Sequence, residues 1–208
     1  MKLLKRIASR PQRWRHSHGF GVHSPFAFHF ITRVLREKDA AYYAYPEIAA
    51  SCRRYRHSVL NKIYAAKNHP VHQAQMIFRV LCYFNPPTII EVGTGHKETS
   101  VIFNSATPDA DIITWQPNKP LPNHMVGHPV LIINQFSLND IDNLASTILS
   151  LTAQQDAVVI VRNLRSNRAN RTLWTHISGA TNFGMGFNNR YTGIFVARHT
   201  LPHQLFNL

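Results

Sequence analysis

The chain has 208 residues, 44% of them hydrophobic, and carries a formal net charge of +13 with a pI near 10.4. So ordinary an apolar share argues against wholesale disorder, and the length suits one compact domain with a small appendage, burying roughly 70% of its unfolded surface. No apolar run approaches the ~18 residues of a membrane span, and two cysteines, Cys52 and Cys82, are too few for a disulfide framework or a zinc site.

A soluble, cytoplasmic protein in a reducing compartment is therefore expected, with Cys82 reading as a small core residue of an apolar stretch. The excess of positive charge either attracts anions, such as nucleic acid, an acidic surface or a charged substrate, or simply solvates the surface.

The first 21 residues carry Lys2, Lys5, Arg6, Arg10, Arg13 and Arg15 and no acid. The stretch from Trp14 to Phe26 is too rich in Gly and Pro to be one regular element, and within it Ser24-Pro25 offers an N-cap and a first-turn proline. The helix begun there turns Phe26, Phe30, Ile31, Val34 and Leu35 inward. Further helices are expected over 46–64 and 72–84, the latter with Met76, Ile77, Val80, Leu81 and Phe84 on one stripe. Asn85-Pro86-Pro87 stops it.

From Thr88 on, strands and helices alternate. Strands are expected over 88–92, 111–115, 130–134 and 157–161, covered on both faces as in a parallel sheet. Helices are expected over 98–106, 139–151 and 167–177. Residues 183–187 and 191–197 flank the polar turn Asn188-Asn189-Arg190 and read as an antiparallel hairpin.

The most informative run is Thr88-Ile89-Ile90-Glu91-Val92-Gly93-Thr94-Gly95. A strand that ends in an acid and Gly-x-Gly before a helix is how a Rossmann-like sheet opens a nucleotide pocket. The glycines allow a tight turn and close approach of a ligand to bare backbone.

With its His-Gly-x-Gly-Val-His-Ser-Pro-Phe block (residues 18–26), Tyr42-Tyr43, the Pro-x-Thr-Ile-Ile-Glu-x-Gly-Thr strand (residues 86–94), residues 156–174 and Gly193-Ile194-Phe195, the chain resembles class I S-adenosylmethionine-dependent methyltransferases. Within that superfamily it is similar to the small bacterial O-methyltransferase-like branch. The resemblance implies an α/β fold, a Rossmann-like doubly wound, mostly parallel sheet with a C-terminal antiparallel hairpin. It divides the chain into a basic helical lead-in, 1–85, and a methyltransferase domain, 86–208.

The resemblance also implies S-adenosylmethionine as cofactor, held by Glu91, Gly93, Thr94 and Gly95. Lys97 stands where the family has a third glycine, and would either contact the cofactor carboxylate as a cation or fill the space the methionine moiety needs. The second strand ends in Trp115-Gln116 where an acid is usual. Gln116 would then be a neutral partner for the ribose and Trp115 a stacking surface for adenine. Asn134-Gln135 stands where the family tends to have Asp-Gly, with Asn134 carried over as a cofactor contact, and Arg162-Asn163 stands where it tends to have Asp-Asp.

Between Trp115 and Val130 only a Pro-rich loop fits, so the usual third, edge strand and its helix are read as deleted. Catalytic candidates are His18 and His23, which otherwise pin the N-terminal segment by hydrogen bonds. With no carboxylate or thiolate close in sequence, His16, His18 and His23 are not expected to bind metal.

Arg162, Arg165, Arg168 and Arg171 recur every third residue, and no acid follows Asp156. They form either a phosphate-contacting stripe or a solvated basic face. Two function classes follow. One is methyl transfer to a small or anionic acceptor with a weakened cofactor site. The other is a catalytically inactive methyltransferase fold serving as a basic binding module for nucleic acid or an acidic surface, through those arginines and the basic N-terminus.

Overall fold

The structure is a computed structural model that describes residues 22–37, 40, 42–54, 70–93, 97–122, 125 and 127–208. Helix α1, Pro25–His29, begins at Ser24, whose hydroxyl accepts the Ala27 N–H at 3.3 Å. It runs on as a π-helical segment, Phe30–Leu35, which buries Phe30, Ile31 and Val34. Helix α2 spans Tyr45–Arg54 and α3 spans Pro70–Phe84. The α3 helix stops before the two prolines, as expected, at Asn85, whose φ of 42° is left-handed, a conformation that asparagine tolerates at a helix end. The rest of the helix expected over 46–64 lies outside the described residues.

Strand β1 (Thr88–Val92) leads to α4 (Lys97–Ala106), β2 (Asp111–Trp115) and β3 (Val130–Ile133). A 3-10 turn, Leu138–Asp140, then precedes α5 (Ile141–Gln154) and β4 (Ala157–Val161). Helix α6 (Arg168–Gly179) and strands β5 (Met185–Asn188), β6 (Gly193–Ala197) and β7 (Gln204–Asn207) complete the chain.

All seven strands form one sheet in the order β2-β1-β3-β4-β6-β5-β7. Only β6 is reversed: it pairs antiparallel with β4 and β5, while the other pairs are parallel. This is an α/β, Rossmann-like, mostly parallel sheet with the expected antiparallel hairpin, plus a seventh strand that sequence reading missed.

Alternate side chains of each strand point to opposite faces, and both faces are covered. Ile89, Val130, Ile132, Val158, Ile160, Ile194 and Val196 pack with Phe30, Ile31, Ile48, Ile77 and Phe78 of the N-terminal helices and with Phe103 of α4. Ile90, Val92, Leu131, Ile133, Val159 and Val161 pack with Leu144 and Ile148 of α5 and with Leu173 and Ile177 of α6. Each fully buried side chain of this size stabilises the fold by roughly 1.5–3 kcal/mol.

Strand β2 departs from the expectation of two covered faces, because Asp111, Ile112 and Thr114 are exposed. The reason is topological. Among the described residues no strand or helix lies between Trp115 and Val130, so β2 is itself the edge. Cys82 is a second correction: it is exposed, whereas Cys52 is buried.

The hairpin turn is built from asparagine side chains. Asn188 Oδ1 accepts the Arg190 N–H at 2.8 Å, and Asn189 Oδ1 accepts those of Tyr191 and Thr192 at 3.1 and 2.9 Å. On the neighbouring face Trp174 lies against Gly193, where an added Cβ would stand 2.3 Å from the indole. No helix among the described residues is long and apolar enough to cross a membrane.

Candidate functional site

In an open α/β sheet, ligands bind outside the carboxyl ends of the strands where the strand order reverses. Here that point lies between β1 and β3, since the chain leaves β1 for β2 on one side and returns to β3 on the other. The segments after β2 and β3 therefore flank the end of β1. Between them is a shallow groove of ≈ 540 Å³, lined by Gln116, Pro117, Gln135, Phe136, Ser137 and Asp140.

Its walls are fixed locally. The Trp115 indole N–H donates to Lys119 O at 3.0 Å, and the Lys119 N–H returns to Gln116 O at 3.0 Å. These two bonds close a turn that presents Gln116, and Asn143 of α5 donates from its side chain to Pro117 O. On the opposite wall, Ser137 caps the 3-10 turn through the Asn139 N–H at 3.3 Å. Asp140 follows at the N-cap position of α5, yet its side chain makes no capping bond.

Behind the groove the strand ends are tied by a polar network. Asn134 Nδ2 donates to Glu91 Oε1 at 2.8 Å, while Asn134 Oδ1 accepts from Arg162 Nη1 at 3.1 Å. Asn170 of α6 donates from its side chain to the carbonyls of both Asn134 and Arg162. Arg162, Asn134 and Asn170 are each 0% exposed, so hydrogen bonding here offsets a desolvation cost of several kcal/mol for the guanidinium.

Sequence-derived site residues thus divide. Gln116 lines the groove. Trp115 is buried in the core against the second sheet face, which leaves no ring face for adenine and corrects the stacking expectation. Its indole instead positions Gln116. Asn134 is spent on Glu91 and Arg162. Gly93 has a φ of +80°, and a Cβ there would meet Gln135 O at 2.2 Å. The glycine is thus required by contact between the two loops.

Glu91 is half-buried with one carboxylate oxygen engaged by Asn134. Lys97 begins α4. Thr94, Gly95, His16, His18 and the basic N-terminus lie outside the described residues, and His23 is exposed. Arg162 is corrected from a surface stripe to the interior, because it sits at the end of a central strand and turns inward to Asn134. Arg165, Arg168 and Arg171 are exposed.

Asp140 was missed by sequence reading, which looked for acids at strand ends. Its signal was the Ser137-to-Asp140 spacing ahead of an apolar helical run.

No protein-family model and no curated protein matches the chain. Among solved structures, a protein from Thermobifida fusca YX titled a "putative methyltransferase" is similar at 9% identity and a TM-score of 0.30, over 82% of this chain and 72% of that one. So distant a likeness carries no argument about activity, and the fold assignment rests on strand order and register.

Proposed function

We propose that this chain is a methyltransferase-like protein that binds an adenosyl ligand, S-adenosylmethionine or its demethylated product, across the carboxyl ends of β1, β2 and β3. The observation that carries the reading is Asp140. A carboxylate that stands at a helix N-cap without capping it, and lines a groove at the sheet's switch point, is available to ligand hydroxyls. It answers in space the acid that the end of β2 lacks in sequence.

The residues present suit the adenosyl half of such a ligand. Asp140 accepts from ribose hydroxyls, Gln116 offers both an amide donor and an acceptor, and Phe136 gives an apolar surface. The amino-acid half would fall past the end of β1, beyond Gly93. When bound, S-adenosylmethionine supplies an electrophilic methyl group. What the chain contributes is orientation, from a wall held by local hydrogen bonds. Among the described residues the groove lining holds no histidine, so His23 has no role in this reading.

Isothermal titration with S-adenosylmethionine and with its demethylated product tests the proposal. Saturable binding is expected, weakened about 10- to 100-fold by Asp140→Asn, since a charge-assisted hydrogen bond is worth roughly 1.5–3 kcal/mol. Failure of both ligands to bind at millimolar concentration, or binding indifferent to Asp140→Asn, would overturn it.

A further inference from the structure

We infer that the rim formed by Arg165, Arg168, Arg171 and Arg190 around Tyr191 is a docking surface for the phosphodiester backbone of a nucleic acid. The four arginines come from three segments: the turn after β4, the first turn of α6, and the β5–β6 turn. Contacts at Leu164 and Tyr191 draw these segments together. The Leu164 N–H donates to Tyr191 O at 2.9 Å, and Leu164 O accepts from Arg171 Nη1 at 3.3 Å. Arg165 Nη1 reaches the Tyr191 hydroxyl at 3.5 Å, with its guanidinium carbon 5.9 Å from the ring centroid.

Like charges gathered in this way repel one another, and nothing in the local sequence relieves them. No Asp or Glu occurs after Asp156, although that stretch carries six arginines. Arg190 adds a second cost, since its φ of 75° lies in the left-handed region, where Gly or Asn would be at ease in a hairpin turn. Cation density kept against both costs is accounted for by an anionic partner.

Arginine narrows the partner's chemistry. Its planar fork matches phosphate oxygens two at a time, and four forks spread over a rim suit a chain of phosphates better than a single small anion. A lipid surface fits less well, because surface-binding segments insert apolar side chains. Among the described residues, the exposed large apolar side chains, such as Phe28, Tyr43, Ile112 and Leu205, belong to none of the rim's three segments.

Val161 pairs with Gly193, which places the hairpin turn at the carboxyl edge of the sheet, the edge that also bears the groove. Docking here does not depend on the adenosyl reading, and each can fail without the other.

The test is fluorescence anisotropy with a labelled single strand of RNA and a duplex, each of about 30 nucleotides and mixed sequence, between about 50 and 300 mM salt. Wild type should bind with affinity that falls steeply with salt. The triple variant Arg165→Gln, Arg168→Gln, Arg171→Gln should bind at least about tenfold more weakly and lose about 2 to 3 from the log–log salt slope. Arg190→Asn should lose a further part without lowering the melting temperature. Arg33→Gln, in the π-helical segment that follows α1, should change neither quantity.

Absence of saturable binding by wild type at the lowest salt overturns the inference. So does a salt slope unchanged in a triple variant whose circular dichroism and melting match wild type. Tighter wild-type binding to phosphatidylserine vesicles than to either nucleic acid would do the same, in favour of a membrane surface.

Discussion

The side-chain amide of Asn134 donates to Glu91 at 2.8 Å and so links the carboxyl ends of β1 and β3, the two strands between which the sheet reverses its order. Because the other end of the same amide accepts from buried Arg162, one asparagine serves a carboxylate and a guanidinium at once. Asn134→Leu should strand both and destabilise the fold by about 2–4 kcal/mol in urea titration. Asn134→Asp would restore an acceptor for Arg162 but set two carboxylates side by side, so that one holds its proton more tightly in the folded state. The protonated form then stabilises the fold. The deficit against wild type should be smaller at pH 5 than at pH 8.

Gly93 and Gln116, compared, separate packing from ligand binding. Gly93→Ala must place a side chain at a φ of +80°, 2.2 Å from a main-chain oxygen of Gln135. Left-handed backbone alone costs roughly 1–2 kcal/mol outside glycine, and a backbone neighbour cannot swing aside. A loss of at least about 2 kcal/mol in stability is expected, with adenosyl affinity falling alongside. Gln116→Ala, on the exposed wall, should weaken the ligand without moving the melting temperature.

Much of this was legible in the sequence because the helices are amphipathic and the inner strands nearly all apolar. The 76–84 stripe announces itself by its helical period, and the 88–92 and 157–161 runs by their nearly continuous apolar character. Strand β7 does not, since three of its four residues are exposed and only Phe206 turns in, stacking on Phe187 at 5.2 Å. Its register is set by long-range bonds such as Gly184 N–H to Leu201 O at 2.9 Å. Arg162 misled for the opposite reason. Its spacing matches that of Arg165, Arg168 and Arg171, and only its place at the end of a central strand buries it. Asp140 escaped because a 3-10 turn, rather than a strand end, delivers it to the groove.

Trp174 and Gly193 should behave as a coupled pair. A methyl group at Gly193 would fall 2.3 Å from the indole, so Gly193→Ala should cost about 1–3 kcal/mol by overpacking. In Trp174→Leu the same change should cost less. A double-mutant cycle by urea denaturation should return a coupling of about 0.5–3 kcal/mol, and strict additivity would show that the ring moves aside freely.

Tyr45 supplies a dependence on alkaline pH. Burial raises its hydroxyl above the ordinary value of 10.0, while the hydrogen bond and charge of Arg79 pull in the other direction and only partly offset it. Arg79 Nη1 donates to that hydroxyl at 2.7 Å, and its other nitrogens cap Val34 O at 2.6 Å and Leu35 O at 3.0 Å. Since the folded state keeps this proton longer than the unfolded chain does, Tyr45 contributes its full stability below about pH 10 and loses it as pH rises through the folded value. Other tyrosines also titrate there, so the readout is the difference between wild type and Tyr45→Phe in urea midpoint. That difference should shrink between pH 8 and pH 11, because the variant has already lost the Arg79 bond and has no proton to release. A gap that stays constant would mean that Tyr45 titrates alike in both states.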